Sequence, residues 1–179
     1  MSFAERLLFN FNSLHNPALG GDRRTPHISV HGGTAALAVR FHKRERALPI
    51  NPEKYAQNEA WLLFQLNDSP VHTEADGDFN VMAIMDVATG LILGMEFVGV
   101  LAEELSEFES RKLLASAESE AGGRPNSLFV DSEKKAAQTV EAASALGLEV
   151  IRESVSNLSP ITQEVREGFA AHVSGARRQ

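Results

Sequence analysis

At 179 residues, with 43% apolar and 23% charged residues, the chain has the size and balance of one ordinary globular domain with a short appendage. It contains no cysteine, which removes disulfides, thiolate catalysis and cysteine-based zinc or iron-sulfur sites. Its net charge of −7 works against tight non-specific binding of nucleic acid, which requires Lys and Arg to displace counterions from phosphate.

No run reaches the roughly 18 apolar residues of a membrane span, so no membrane partner is expected. The opening Met-Ser-Phe-Ala-Glu-Arg sets charges where a secretory signal needs apolar residues, and a soluble, cytoplasmic protein is the expectation. Ser2 and Glu5 have capping-box spacing, and Phe3, Leu7, Leu8, Phe11 and Leu14 follow at helical spacing. This predicts a short amphipathic helix whose apolar stripe covers the domain's own sheet or joins two copies as a homodimer. Residues 15–26, with two prolines and Gly20-Gly21, read as a connection. Between His27 and His42, Ile28, Val30, Leu37, Val39 and Phe41 alternate with polar or small residues around His31-Gly32-Gly33, the pattern of a hairpin.

Six bases (Arg23, Arg24, Arg40, Lys43, Arg44, Arg46) face two acids (Asp22, Glu45) between Gly21 and Ile50, a local +4 that leaves −11 for the rest. Arg40, Lys43, Arg44 and Arg46 are therefore the candidates for docking nucleic acid or an acidic partner, against the simpler reading of a solvated face. His27, His31 and His42 lack the Glu, the Cys and the helix of a zinc motif. His31-Gly32-Gly33 lacks the Gly-x-Ser-x-Gly nucleophile of an esterase, and there is no phosphate-binding glycine loop. The aromatic residues are too dispersed for a base-stacking platform. Pro49 and Pro52 close this region, dividing a helix and hairpin extension (1–57) from an α/β domain (58–179).

In the domain, Ala60 to Leu66 is an apolar strand, followed by Asn67-Asp68-Ser69-Pro70 and an acidic loop to Asp78. Phe79–Met85 and Leu91–Val98 flank Asp86-Val87-Ala88-Thr89-Gly90, a hairpin turn in which Asp86 is most simply a turn former. Both strands are apolar nearly throughout, which predicts that both their faces are covered. Ser106 and Glu109 form a capping box for a helix whose stripe is Leu113, Leu114, Ala117 and Ala121 and whose end is Gly122-Gly123. The strand Ser127–Val130 follows. Then comes a helix capped by Asp131 or Ser132, with Ala136, Val140 and Ala143 inside and Gly147 at its end. Leu148–Ile151 is the last strand. Ser159 as cap and Pro160 at the first helical position open a closing helix with Ile161, Val165 and Phe169 on one face. Since crossovers to parallel strands are right-handed, these elements predict an α/β fold. Its mixed five-stranded sheet is an antiparallel three-strand meander followed by two parallel strands, with flanking helices.

That order, with Met85-Asp86-Val87-Ala88-Thr89-Gly90-Leu91-Ile92-Leu93-Gly94, Gly123-Arg124-Pro125-Asn126-Ser127-Leu128-Phe129-Val130-Asp131 and Leu146-Gly147-Leu148-Glu149-Val150, resembles the ribonuclease H-like fold. Ribonuclease H, retroviral integrases and many transposases share this fold. The resemblance covers about residues 61–173, and it is similar to bacterial domains of that fold with a Trp-led strand, an Asp-x-x-Thr-Gly hairpin and a Gly-Arg-Pro strand. Catalytic members hold two Mg2+ or Mn2+ ions on carboxylates from the first strand, the end of the fourth and a later helix, a pair of metals that activates water and stabilises the leaving oxygen. Asp131 matches the fourth-strand acid, and Glu164, or else Glu167, lies on the closing helix. About three residues after Trp61, where the first-strand aspartate belongs, stand Phe64 and Gln65, and the nearest acid is Asp68. The resemblance thus implies a non-catalytic binding or interaction domain. The alternative is a divergent metal-dependent nuclease or phosphoryl-transfer enzyme using Asp68, Asp131 and Glu164. Each acid also has a plain structural use, Asp68 in a turn, Asp131 as a helix cap and Glu164 against a helix dipole.

Overall fold

The run Ala-Trp-Leu-Leu-Phe-Gln becomes the central strand because its two alternating sets of side chains can both be buried: every residue but the terminal Gln65 is buried. The computed structural model describes residues 49–73 and 77–176. After a single 3-10 turn, Pro52–Lys54, the elements are β1 (Ala60–Gln65), β2 (Val71–Thr73), β3 (Gly77–Asp86), β4 (Ile92–Gly99), α1 (Glu107–Ala121), β5 (Ser127–Asp131), α2 (Ala137–Ala145), β6 (Glu149–Glu153) and α3 (Val155–Ala176).

β1, β3 and β4 form the expected antiparallel meander, and β5 and β6 join on the other side of β1 as parallel strands. The sheet has six strands rather than five. The extra one, β2, falls in the stretch expected to be an acidic loop. Phe79 pairs with Val71 on one side and Gly99 on the other, so β2 runs along the edge of β3 that β1 also occupies, just beyond it. Asn67 makes the interruption between them affordable. It is buried, accepts the Val81 amide at 2.7 Å on Oδ1, and donates from Nδ2 to Ser69 O and Asn80 Oδ1.

Strand alternation divides the core in two. Trp61 and Leu63 point to one face with Leu113, Leu114 and Ala117 of α1 and Ala142 and Ala143 of α2. Ala60, Leu62 and Phe64 point to the other with Leu158, Val165 and Phe169 of α3. Ile50 and Tyr55, which precede the expected 57/58 boundary, pack on this second face, Tyr55 edge-on to Phe129. Burial, then the charges of Glu59 and Glu153, raise the Tyr55 phenol above its ordinary pKa. The amphipathic helix and hairpin expected at 2–14 and 27–42 lie outside the described residues.

α1 starts and stops where its caps dictate. Ser106 Oγ accepts the Glu109 amide, Glu109 returns the bond to the Ser106 amide, and Gly122 ends the helix at φ +73°. The Ser106 amide and hydroxyl hold the Glu109 carboxyl below its ordinary pKa. Ser106→Ala is expected to cost about 1 kcal/mol in a denaturant titration. Because the folded pKa of Glu109 is depressed, the box contributes fully above the unfolded-state value and fades as pH falls through the folded one. Alanine keeps the Ser106 amide and removes only the hydroxyl's share of that dependence, so the difference between wild type and Ser106→Ala should shrink only slightly in acid.

The other two helix starts differ from expectation. Neither Asp131 nor Ser132 caps α2: its N-cap is Ala136, with no side-chain cap, while Asp131 Oδ1 accepts the Glu133 amide at 2.8 Å in a local turn. α3 begins at Val155, and Pro160 lies inside it. Burial of Asn157 and Leu158 extends the helix upstream, with both their amides donating to Ser154 O. Ser159 donates back to Val155 O instead of capping. So close to the helix start, the missing Pro160 N–H forfeits one bond.

Candidate functional site

β1 and β5 are parallel, so their carboxyl ends open on the same side of the sheet. There the chain diverges: residues 132–136 lead to α2 on one face, while α3 covers the other. The cleft left between them is where ligands lodge in open α/β sheets. It lies over an apolar floor that includes Leu63 and Val130. Its polar side chains include Gln65, Asp131, Lys134, Lys135, Thr162 and Arg166.

Gln65, at the end of β1, organises the cleft. Its Nε2 donates to Asn67 O at 2.7 Å and Asn80 Oδ1 at 3.2 Å, and Lys134 Nζ lies 3.5 Å from its Oε1. Its main-chain oxygen accepts from Arg166 Nε at 3.0 Å. The Arg166 guanidinium sits 5.9 Å from the centre of the Phe64 ring, within reach of the attraction between a cation and an aromatic face. Lys135 pairs with Glu103 across the surface.

Of the three acids that the alternative, nuclease reading would use, one, Asp131, lines the cleft. Asp68 lies beyond the end of β1 with its side chain 81% exposed, and its carboxylate faces Arg166 Nη1 at 3.6 Å. Glu164 is exposed on α3 and does not line the cleft, because the helical period turns Leu158, Thr162 and Arg166 inward instead. Among the described residues no group of three or more histidines and acids is placed to hold a metal ion. Glu167 is likewise exposed and accepts from Gln163 Nε2. The basic group Arg40, Lys43, Arg44 and Arg46 lies outside the described residues, as do His27, His31 and His42.

Gln65, Lys134 and Arg166 are the residues that sequence reasoning missed. A faint signal was available for two of them. Arg166 continues the four-residue spacing of Leu158 and Thr162, and Lys134 follows a strand-ending Asp by three.

At the opposite end of β1 a second polar cluster is structural. Asp86 is buried. Its Oδ1 accepts the Asn58 amide at 2.9 Å, and its Oδ2 accepts the Thr89 amide at 3.1 Å and the Thr89 hydroxyl at 2.6 Å. Asn58, at φ +62°, accepts Trp61 Nε1 at 2.7 Å. The aspartate is thus a turn former that also fixes the chain's entry into β1.

No family model and no curated protein matches the sequence. Among solved structures, the chain is similar to one in the cryo-EM structure of the simian T-cell lymphotropic virus intasome in complex with PP2A regulatory subunit B56 gamma, with 15% sequence identity and a TM-score of 0.44. The match covers 73% of this chain and 40% of that one, so this chain spans less than half the length of the protein it matches.

Proposed function

We propose that this is a ribonuclease H-like domain that binds a ligand in the cleft at the ends of β1 and β5 and does not cut phosphodiesters. One observation carries the reading. Where metal chemistry needs a first-strand carboxylate there are Phe64 and Gln65, and Arg166 lies over the first and bonds to the main chain of the second. A guanidinium there opposes the approach of divalent cations, and Asp131 on its own supplies too few ligands for two ions. The order of strands, three antiparallel and then two parallel beside the first, supports the fold assignment. Lys134 and Arg166, converging on Gln65 from different elements, favour a ligand that presents an anionic group.

The test is cleavage of DNA, RNA and their hybrid in the presence of Mg2+ or Mn2+. No product is expected from the wild type or from Asp131→Asn. Cleavage by the wild type that disappears in Asp131→Asn would overturn the reading and favour the divergent nuclease.

A further inference from the structure

We infer that the outer edge of β4 is a self-association surface, occupied by β4 of a second copy of this chain. β4 pairs with β3, and from Met95 to Gly99 no other strand lies beside it among the described residues. Natural edge strands discourage pairing with lysine, proline, a bulge or a cover. Among the described residues the Met95-Glu96-Phe97-Val98-Gly99 edge has none of these: the ladder to β3 is regular here, and its one charge, Glu96, is neutralised by Lys112 at 2.6 Å.

The apolar surface gathers at the same place. Of the exposed large hydrophobic residues among the described ones, all except Val155 fall between 97 and 108: Phe97 (54% exposed), Val100, Leu101 (98%) and Phe108 (77%). Phe97 shares the α3 side of the strand with Met95 and meets Phe79 edge-on at 5.0 Å. Phe108 precedes Lys112 by one helical turn, so it occupies the flank of α1 that reaches Glu96 on the other side of the strand. Both faces of the free edge are therefore flanked by apolar side chains.

A second copy suits this edge because it is self-complementary. Pairing two β4 strands antiparallel about a two-fold axis at Phe97 satisfies the outward amides and carbonyls reciprocally and sets that ring against its own counterpart. Glu96 and Lys112 stand side by side with opposite charge, so the two-fold can bring Lys112 towards the partner's Glu96 without opposing like charges. The four side chains expose roughly 500 to 600 Å2, against the roughly 800 Å2 that each partner buries in a standard interface. With the strand backbone added, the area approaches that of a standard interface.

Sedimentation of the full chain over a concentration series should show a monomer–dimer equilibrium. Leu101→Glu and Phe108→Glu, at sites so exposed that the fold does not depend on them, should each raise the dissociation constant tenfold or more with unchanged circular dichroism and Tm. Hydrogen exchange at the amides of 95–99 should slow as concentration rises. A monomer at every concentration up to hundreds of micromolar would sink the inference, as would a dimer indifferent to both substitutions, which must use another surface such as residues 2–14. Protection of 95–99 that is already complete in the monomer would also sink it, since the chain would then cover its own edge.

Discussion

Replacing Asp86 with alanine is expected to destabilise the domain by about 3 kcal/mol or more. The carboxylate is buried and satisfies three donors in two segments, the Asn58 amide before β1 and the Thr89 amide and hydroxyl in the β3–β4 turn. Alanine removes all three bonds and leaves two main-chain N–H groups facing a space that only water could fill. Asn58 then also loses the contact that holds it in the left-handed region, which costs a non-glycine residue about 1 kcal/mol. With Asn58 released, the bond from Trp61 Nε1 weakens, at the point where a fully buried aromatic enters the core. Asp86→Asn separates charge from geometry. Its carbonyl can keep one segment, but its NH2 must then face a donor in the other, so a loss of about half that of alanine is expected. Thr89→Val, which keeps the amide, should cost about 1 kcal/mol. Urea titrations read all three as midpoint shifts at constant slope. An alanine variant within 1 kcal/mol of wild type would show that the two segments are held by packing instead.

The elements whose signals are local were legible in the sequence. α1 is bounded by a reciprocal Ser106–Glu109 cap and a left-handed Gly122, both complete within their own turn. The β3–β4 hairpin follows from Asp86, Thr89 and Gly90, and β1 from six residues that admit no exposed face. What escaped reading depends on partners remote in sequence. β2 exists because Asn67 reaches the Val81 amide 14 residues away. The Ser159-Pro160 pair carries the usual sign of a helix start, yet burial of Asn157 and Leu158 moves that start to Val155. At the cleft, Asp131 could be placed because the end of a strand has a definite position. Glu164 was sought on α3 by its place in the chain alone, although Val165 and Phe169 already marked the inward face, and it stands exposed beside that face. Arg166 and Gln65 meet across 101 residues, and no spacing rule joins them.

Gly94 to valine is expected to be the second severe substitution, costing about 3 kcal/mol. The glycine is not needed for its backbone conformation but for the space it leaves. In β4 it lies opposite Ile84, and a Cβ built on it would meet Leu113 Cδ1 at 3.2 Å, Leu113 O at 3.3 Å and Ala117 N at 3.5 Å. α1 therefore rests on the bare strand. Alanine at this site, pressing on a helix carbonyl as well as a side-chain methyl, should cost about 1 to 2 kcal/mol. Valine adds two more methyl groups towards a helix whose Leu113, Leu114 and Ala117 are already buried, and its better strand propensity returns at most about 1 kcal/mol. The two obstacles can be told apart. Leu113→Ala removes the Cδ1 methyl and costs about 2 to 5 kcal/mol by the cavity it leaves. Adding Gly94→Ala to that variant should cost measurably less than adding it to wild type, because only the main-chain contacts at 3.3 and 3.5 Å remain. Equal cost in both backgrounds would assign the strain to the carbonyl of Leu113, and a neutral Gly94→Ala in wild type would mean that α1 lifts off β4 without loss.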